Sequence, residues 1–203
     1  MKRNLIVDPL LKFNKVNDAL DLPVFIRVNE FTEESLEDFQ DDFWDAEATK
    51  QPVIPIIIDS YGGQVYALQG MLSIVEQSKV PVATICTSKA MSCGAFLLCW
   101  GTDGYRFLDP NATVMIHDMS LGAWGKVEEV KSGAKNGERL NKQIFKRAAK
   151  RLGHPQNHFL EMMDSKKHAE WYMGATEAKK HNIANELRIP ELNVRIGVEM
   201  TFD

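Results

Sequence analysis

Hydrophobic positions along this chain change period repeatedly, and each change predicts an element. The almost unbroken β-branched run Pro52–Asp59 reads as a strand covered on both faces, as in parallel sheets. It gives way at the tight turn Ser60-Tyr61-Gly62-Gly63 to Val65, Leu68, Met71, Leu72 and Val75, which stripe one side of a helix. A second β-branched run, Val80–Thr87, predicts a further buried strand, and the apolar helix formers Gly94–Trp100 a buried helix. Upstream, Leu22–Val28 predicts a first strand. Thr32 is placed as the N-cap of a helix, with Glu33 and Glu34 in its first turn and Leu36, Phe39, Phe43 and Trp44 on its buried face. Strand and helix alternate, which is the βαβ signature of an α/β fold with right-handed crossovers.

The pattern thins towards both ends. Residues 1–21 mix charge with scattered apolar residues and read as an irregular arm, leaving 22–203 as one domain. Tyr105–Leu108 and Thr113–His117 predict two short strands around the turn Asp109-Pro110-Asn111. After the loop Met119–Gly125, a long helix is expected over Lys126–Leu152, ended by Gly153 with Pro155 beyond. Its apolar positions (Val127, Val130, Leu140, Ile144, Ala148) are sparse, so it is expected to project or to bridge subunits. Shorter helices follow at about Pro155–Met163 and Ala175–His181. The alternation Val194, Ile196, Val198, Met200, Phe202 suggests a closing strand.

Composition narrows the classes. With 203 residues, 44% hydrophobic and 26% charged, one core of real size is possible. A net charge of −4 leaves no nucleic-acid footprint, and the loose basic cluster Lys142–Arg151 reads as a solvated helix face. No apolar run reaches membrane-span or signal-peptide length, so a soluble protein is expected. Cys86, Cys93 and Cys99 are odd in number and lack CxxC spacing, which argues against a disulfide framework or a zinc site. Reduced core thiols suit a cytosolic compartment.

Candidate chemistry gathers at Ser92. A serine between a strand and a helix can be an ordinary N-cap, or a nucleophile over a helix N-terminus. A serine nucleophile needs a base. Of five histidines, His117 alone stands at the end of an apolar strand, where α/β sheets gather ligands, although a structural hydrogen-bonding role fits it too. An oxyanion would need backbone N–H donors, which the Gly62-Gly63 turn and the amide of Cys93 can supply. For the carboxylate behind the imidazole, Asp118 is adjacent but directed away, and Asp164 and Glu170 lie farther on, where solvated acids are the plainer reading. The stretch lacks both GxGxxG and GK[ST] spacing, which disfavours nucleotide binding. Cys93 as a reactive thiol and Lys89 as partner in a Ser-Lys dyad are weaker options.

Asp59-Ser60-Tyr61-Gly62-Gly63, Ser92-Cys93-Gly94-Ala95-Phe96-Leu97-Leu98 and Val114-Met115-Ile116-His117, in this order and spacing, resemble the ClpP family of serine peptidases. The family's corresponding patterns are a Ser-Pro-Gly-Gly turn, an Ala-Ser-Met-Gly-Ala elbow and a Met-Ile-His strand end. The resemblance covers about Val24–Leu187. It implies stacked ClpP/crotonase-like βαβ units with a projecting handle over about 119–152, and peptide hydrolysis through an acyl-enzyme without metal or organic cofactor. It implies Ser92 as nucleophile, His117 as base, and Gly63 and Cys93 as oxyanion donors. Gly62, Leu121, Gly122, Ala123 and Trp124 would bind extended peptide by β-augmentation. Glu170 falls where the family has aspartate, counted back from Gly174-Ala175-Thr176-Glu177-Ala178, with Asp164 in reserve. Tyr61 stands for proline and Cys93 for methionine. The implied partners are copies of the chain in two stacked seven-membered rings, possibly mixed with a paralogue, an unfolded substrate, and a AAA+ unfoldase. Two rivals are a weakly active regulatory paralogue and a crotonase-type enzyme stabilising acyl-CoA enolates.

Overall fold

In the computed structural model, residues 3–7, 23–122 and 124–196 are described, with side chains over 23–122 and 124–193. Most of the arm assigned to 1–21, Leu22 of the first strand, Ala123 and the tail beyond Ile196 lie outside the described residues. The element order is β1 (Arg3–Val7), β2 (Ile26–Val28), α1 (Glu33–Ala48), β3 (Ile54–Ser60), α2 (Val65–Gln77), β4 (Val82–Met91), α3 (Cys93–Cys99), β5 (Arg106–Leu108), β6 (Thr113–Ile116), α4 (Val127–Arg151), α5 (His158–Ser165), β7 (Trp171–Met173), α6 (Ala175–Lys180) and β8 (Leu192–Ile196).

Six strands form the main sheet in the order β2-β3-β4-β6-β7, with β5 also beside β4. All neighbours are parallel except the antiparallel β6–β7 pair. The axis is β4. Its first half, Thr84–Cys86, pairs with β5, and its second half, Lys89–Met91, pairs with β6. Between the halves the β3–β4 register shifts, from Ile58↔Cys86 to Ser60↔Ala90. Asp59 spans the shift, accepting from Ser88 Oγ at 3.0 Å and from Lys89 Nζ at 2.6 Å. The strand therefore runs to the elbow at Ser92, farther than the β-branched run alone predicts.

Ile54, Ile56 and Ile58 on one face and Ile57 on the other are buried, as a strand covered on both faces requires. All seven residues of α3 are buried, and Phe96 meets Phe145 of α4 edge to face at 5.4 Å. At α1 the expected cap is present: Thr32 Oγ1 accepts from Ser35 N–H, and Ser35 Oγ accepts from Thr32 N–H. Two orphan amides are thereby satisfied reciprocally. Thr32→Ala is expected to lower unfolding free energy by about 1 kcal/mol, read as an earlier denaturant midpoint at unchanged slope.

Several expectations are corrected. Trp44 is 56% exposed: the buried face of α1 is Phe39, Phe43 and Ala46, and Trp44 stands one residue, about 100°, off it. The long helix α4 divides in two. Its first turns, including Val127, are exposed, whereas Gly137, Leu140, Ile144, Phe145, Ala148 and Ala149 are buried against the domain. Arg3–Val7, read as irregular, forms β1, which pairs antiparallel with β8 from Arg3↔Ile196 to Val7↔Leu192. The closing strand thus joins the N-terminal segment and not the main sheet. No helix among the described residues is long and apolar enough to cross a membrane.

Candidate active site

The sheet brings its C-terminal strand ends together at Ser92. Ser92 sits at the N-cap position of α3 with φ 54° and ψ −119°, and its side chain makes no cap hydrogen bond. Left-handed backbone is uncommon for a residue with a Cβ and costs on the order of 1–3 kcal/mol. Here it is held by Ser92 N–H donating to Met115 O of β6 at 2.8 Å. The side chain thereby turns away from its own helix and towards His117, whose Nε2 lies 2.8 Å from Ser92 Oγ. The plain N-cap reading does not describe this serine.

The preceding glycines are shaped around it. Gly62 has φ +110°, and a Cβ built there would stand 2.7 Å from Ser92 Cβ and 3.1 Å from Oγ. Only glycine leaves room for the serine. Gly63, at φ +151°, packs on the backbone of Phe31, where a Cβ would lie 2.5 Å from Phe31 O. The Gly62 amide donates to Ser60 Oγ at 3.0 Å. The amides of Gly63 and Cys93 donate to no backbone carbonyl among the described residues, and both face the Cys93 sulfur. Two backbone donors on the two sides of the serine are the parts of an anion cradle.

Around them lies a cavity of about 250 Å³, lined by Gly63, Val65, Leu68, Ser92, Cys93, Phe96, His117, Met119, Ser120, Leu121, Asn141 and Ile144 among others. Its walls are mainly apolar, with the hydroxyl and the imidazole converging on one end. Of the segment expected to bind peptide, Leu121 lines this cavity, Gly122 has open space around it, and Trp124 is fully exposed and outside it. Met119, Ser120 and Phe96 carried no chemical signal in the sequence beyond ordinary loop and core patterning.

The cysteine and lysine options fail on geometry. Burial pushes the Cys93 thiol up to about 11, and its Sγ donates to Gly63 O at 3.3 Å, so a neutral thiol is held there. Lys89 gives its ammonium to Asp59 and lies 4.5 Å above the Tyr61 ring. The Asp59 bond holds its pKa above the ordinary lysine value, the opposite of what a general base needs.

The carboxylates stand apart from the imidazole. Glu170 Oε2 accepts from Tyr172 Oη at 2.8 Å, Asp164 Oδ1 faces His168 Nε2 at 3.2 Å, and Asp118 bonds Asn141 and His168. No carboxylate hydrogen-bonds His117 Nδ1 among the described residues. Yet strand register favours one of them. The β6–β7 pairs run Val114↔Met173, Met115↔Tyr172, Ile116↔Trp171. Pairing ends there; carried one position further, the same register would set His117 opposite Glu170.

A family model described as Clp protease matches residues 22–189, most of the chain and nearly the same stretch that carries the motif resemblance. With the parallel sheet, the serine elbow and the glycine turn already in place, the match settles the relationship: the chain belongs to the Clp protease family.

Proposed function

We propose that the chain is a serine endopeptidase in which Ser92 is the nucleophile and His117 the general base. The observation that carries this reading is the 2.8 Å contact between Ser92 Oγ and His117 Nε2 beside the amides of Gly63 and Cys93, which no backbone carbonyl takes among the described residues. In the reaction, Oγ attacks the scissile carbonyl carbon while its proton passes to Nε2. The carbonyl oxygen, now an anion, lies between the N–H groups of Gly63 and Cys93. Collapse of this intermediate breaks the C–N bond, and the leaving amine takes the proton from His117. The acyl group stays on Ser92. A water molecule, deprotonated by His117, then attacks the ester, and release of the acid restores the serine. Glu170 serves as the carboxylate that holds the imidazole tautomer, after turning from Tyr172 to Nδ1. Its position opposite His117 supports it over Asp164, which lies in α5 against His168.

The apolar walls of the cavity suit a hydrophobic side chain of an extended peptide, and the segment through Leu121 offers backbone beside it. Assembly into two stacked seven-membered rings gives a role to the exposed first turns of α4, and the family relationship supports feeding by a AAA+ unfoldase. A regulatory subunit of low activity within mixed rings is the second reading. The bond between Glu170 and Tyr172, which leaves His117 without its carboxylate, favours it. A fluorophosphonate probe tests the main proposal: stoichiometric labelling on Ser92, lost in His117→Ala, is expected. An unlabelled Ser92 in the purified chain would remove it.

A further inference from the structure

The segment that carries the base is held in place by side chains. Among the described residues, His117, Asp118, Met119 and Ser120 make no backbone-to-backbone hydrogen bond, although their neighbours on β6 are fixed by the sheet. Asn141 of α4 bonds this segment twice. Its Nδ2 donates to Asp118 Oδ1 at 2.6 Å, and its Oδ1 accepts from Met119 N–H at 2.9 Å. A carboxamide is suited to this because it is donor and acceptor at once.

The second Asp118 oxygen is engaged as well. His168 Nδ1 lies 2.6 Å from Asp118 Oδ2, and His168 Nε2 lies 3.2 Å from Asp164 Oδ1. His168 reaches this position from a turn in which both Lys167 (φ 56°) and His168 (φ 59°) are left-handed. The turn is closed by Lys167 N–H on Asp164 O at 2.9 Å and His168 N–H on Met163 O at 3.0 Å. Two consecutive left-handed residues with side chains carry a conformational cost that local bonds must offset.

We infer that Asn141 and His168, acting through Asp118, form a clamp that sets where His117 stands relative to Ser92. Both are positioning residues. They come from elements outside the sheet, α4 and the turn after α5, and meet on the residue directly following the base. Neither bonds Ser92 or His117 itself. Asn141 also lines the cavity beside Met119 and Leu121, so the same clamp sets the wall along which a substrate lies. The kinetic part of this inference rests on the peptidase reading. The placement part does not.

The test uses the full chain and three readouts: kcat and KM on a fluorogenic peptide, the rate of fluorophosphonate labelling, and hydrogen exchange at the Met119 amide. Asn141→Leu is expected to speed Met119 exchange and lower kcat/KM about 10–100-fold, mainly through kcat, since displacement of a reacting group by about 1 Å can cost 10²-fold. Should that variant not fold, Asn141→Asp keeps the acceptor for Met119 but sets a carboxylate against Asp118, and a loss in kcat of at least tenfold is expected. His168→Ala is expected to lower kcat about 3–10-fold, and His168→Asn, whose amide nitrogen can stand near the place of Nδ1, to restore most of it. Unchanged exchange at Met119 in Asn141→Leu overturns the clamp, as does faster exchange there with kcat/KM within twofold of the parent, or a kcat within twofold of the parent in Asn141→Asp. If the parent chain itself resists the fluorophosphonate, the peptidase reading fails, and faster Met119 exchange still upholds the clamp.

Discussion

Ser92→Ala is expected to reduce peptide turnover about 10⁴-fold or more while leaving fold and assembly size unchanged. The magnitude follows from what is removed. Without Oγ there is no acyl-enzyme, and His117 Nε2 loses the group that lies 2.8 Å from it. The residual rate is what binding and the amides of Gly63 and Cys93 supply alone. Stability is not expected to fall much, because alanine keeps the Cβ that already occupies the left-handed backbone, and the Ser92 N–H bond to Met115 O is retained. The measurement is kcat on a fluorogenic peptide alongside thermal unfolding and light scattering. Turnover within tenfold of the parent would rule out Ser92 as the nucleophile, and a collapsed assembly would show that the serine is structural. The effect is specific to this serine because Gly62 is shaped for it: no other residue at 62 clears its Cβ.

How much of this was legible in the sequence depends on range. The buried strand Ile54–Ser60, the stripe of α2 and the Thr32 cap were legible because each signal is local: a β-branched run, a period of 3.6, an N-cap oxygen. Trp44 is exposed although the spacing places it on the buried face, because it adjoins Phe43 and a helical stripe does not distinguish a residue at its edge from one beside it. β7 was too short to show any period at three residues, and β1 shows no alternation, so both exist only through their partners. At the site, Ser92 and His117 stood out because each sits where a strand ends. Asn141 did not, since one asparagine on a charged helix looks like any solvated residue until Asp118 and the Met119 amide are seen beside it. The carboxylate is the hardest part to read. Which acid faces His117 depends on the β6–β7 register and on side-chain rotamers, and neither leaves a trace in spacing.

That register makes the second large effect specific. Glu170→Gln is expected to lower kcat about 10²–10⁴-fold, the range for an orienting carboxylate replaced by its amide, while Asp164→Asn stays within about threefold. Carried one position past its last pair, Ile116↔Trp171, the register would set Glu170 opposite His117, and Tyr172 competes for the Glu170 carboxylate through the 2.8 Å bond. The hydrogen bond to Glu170 holds the Tyr172 phenol above its ordinary pKa, so the hydroxyl remains a donor well past neutral pH and the competition persists there. Removing the competitor is therefore expected to act in the opposite sense: Tyr172→Phe should match or exceed the parent kcat, by up to about tenfold, with KM unchanged. The pair of variants separates the readings. A loss in Glu170→Gln together with a gain in Tyr172→Phe assigns the orienting role to Glu170. A silent Glu170→Gln with a large loss in Asp164→Asn moves that role to Asp164. A parent chain that is silent alone, and remains so in Tyr172→Phe, points to the regulatory subunit, because the imidazole then lacks an orienting carboxylate even when Glu170 is free.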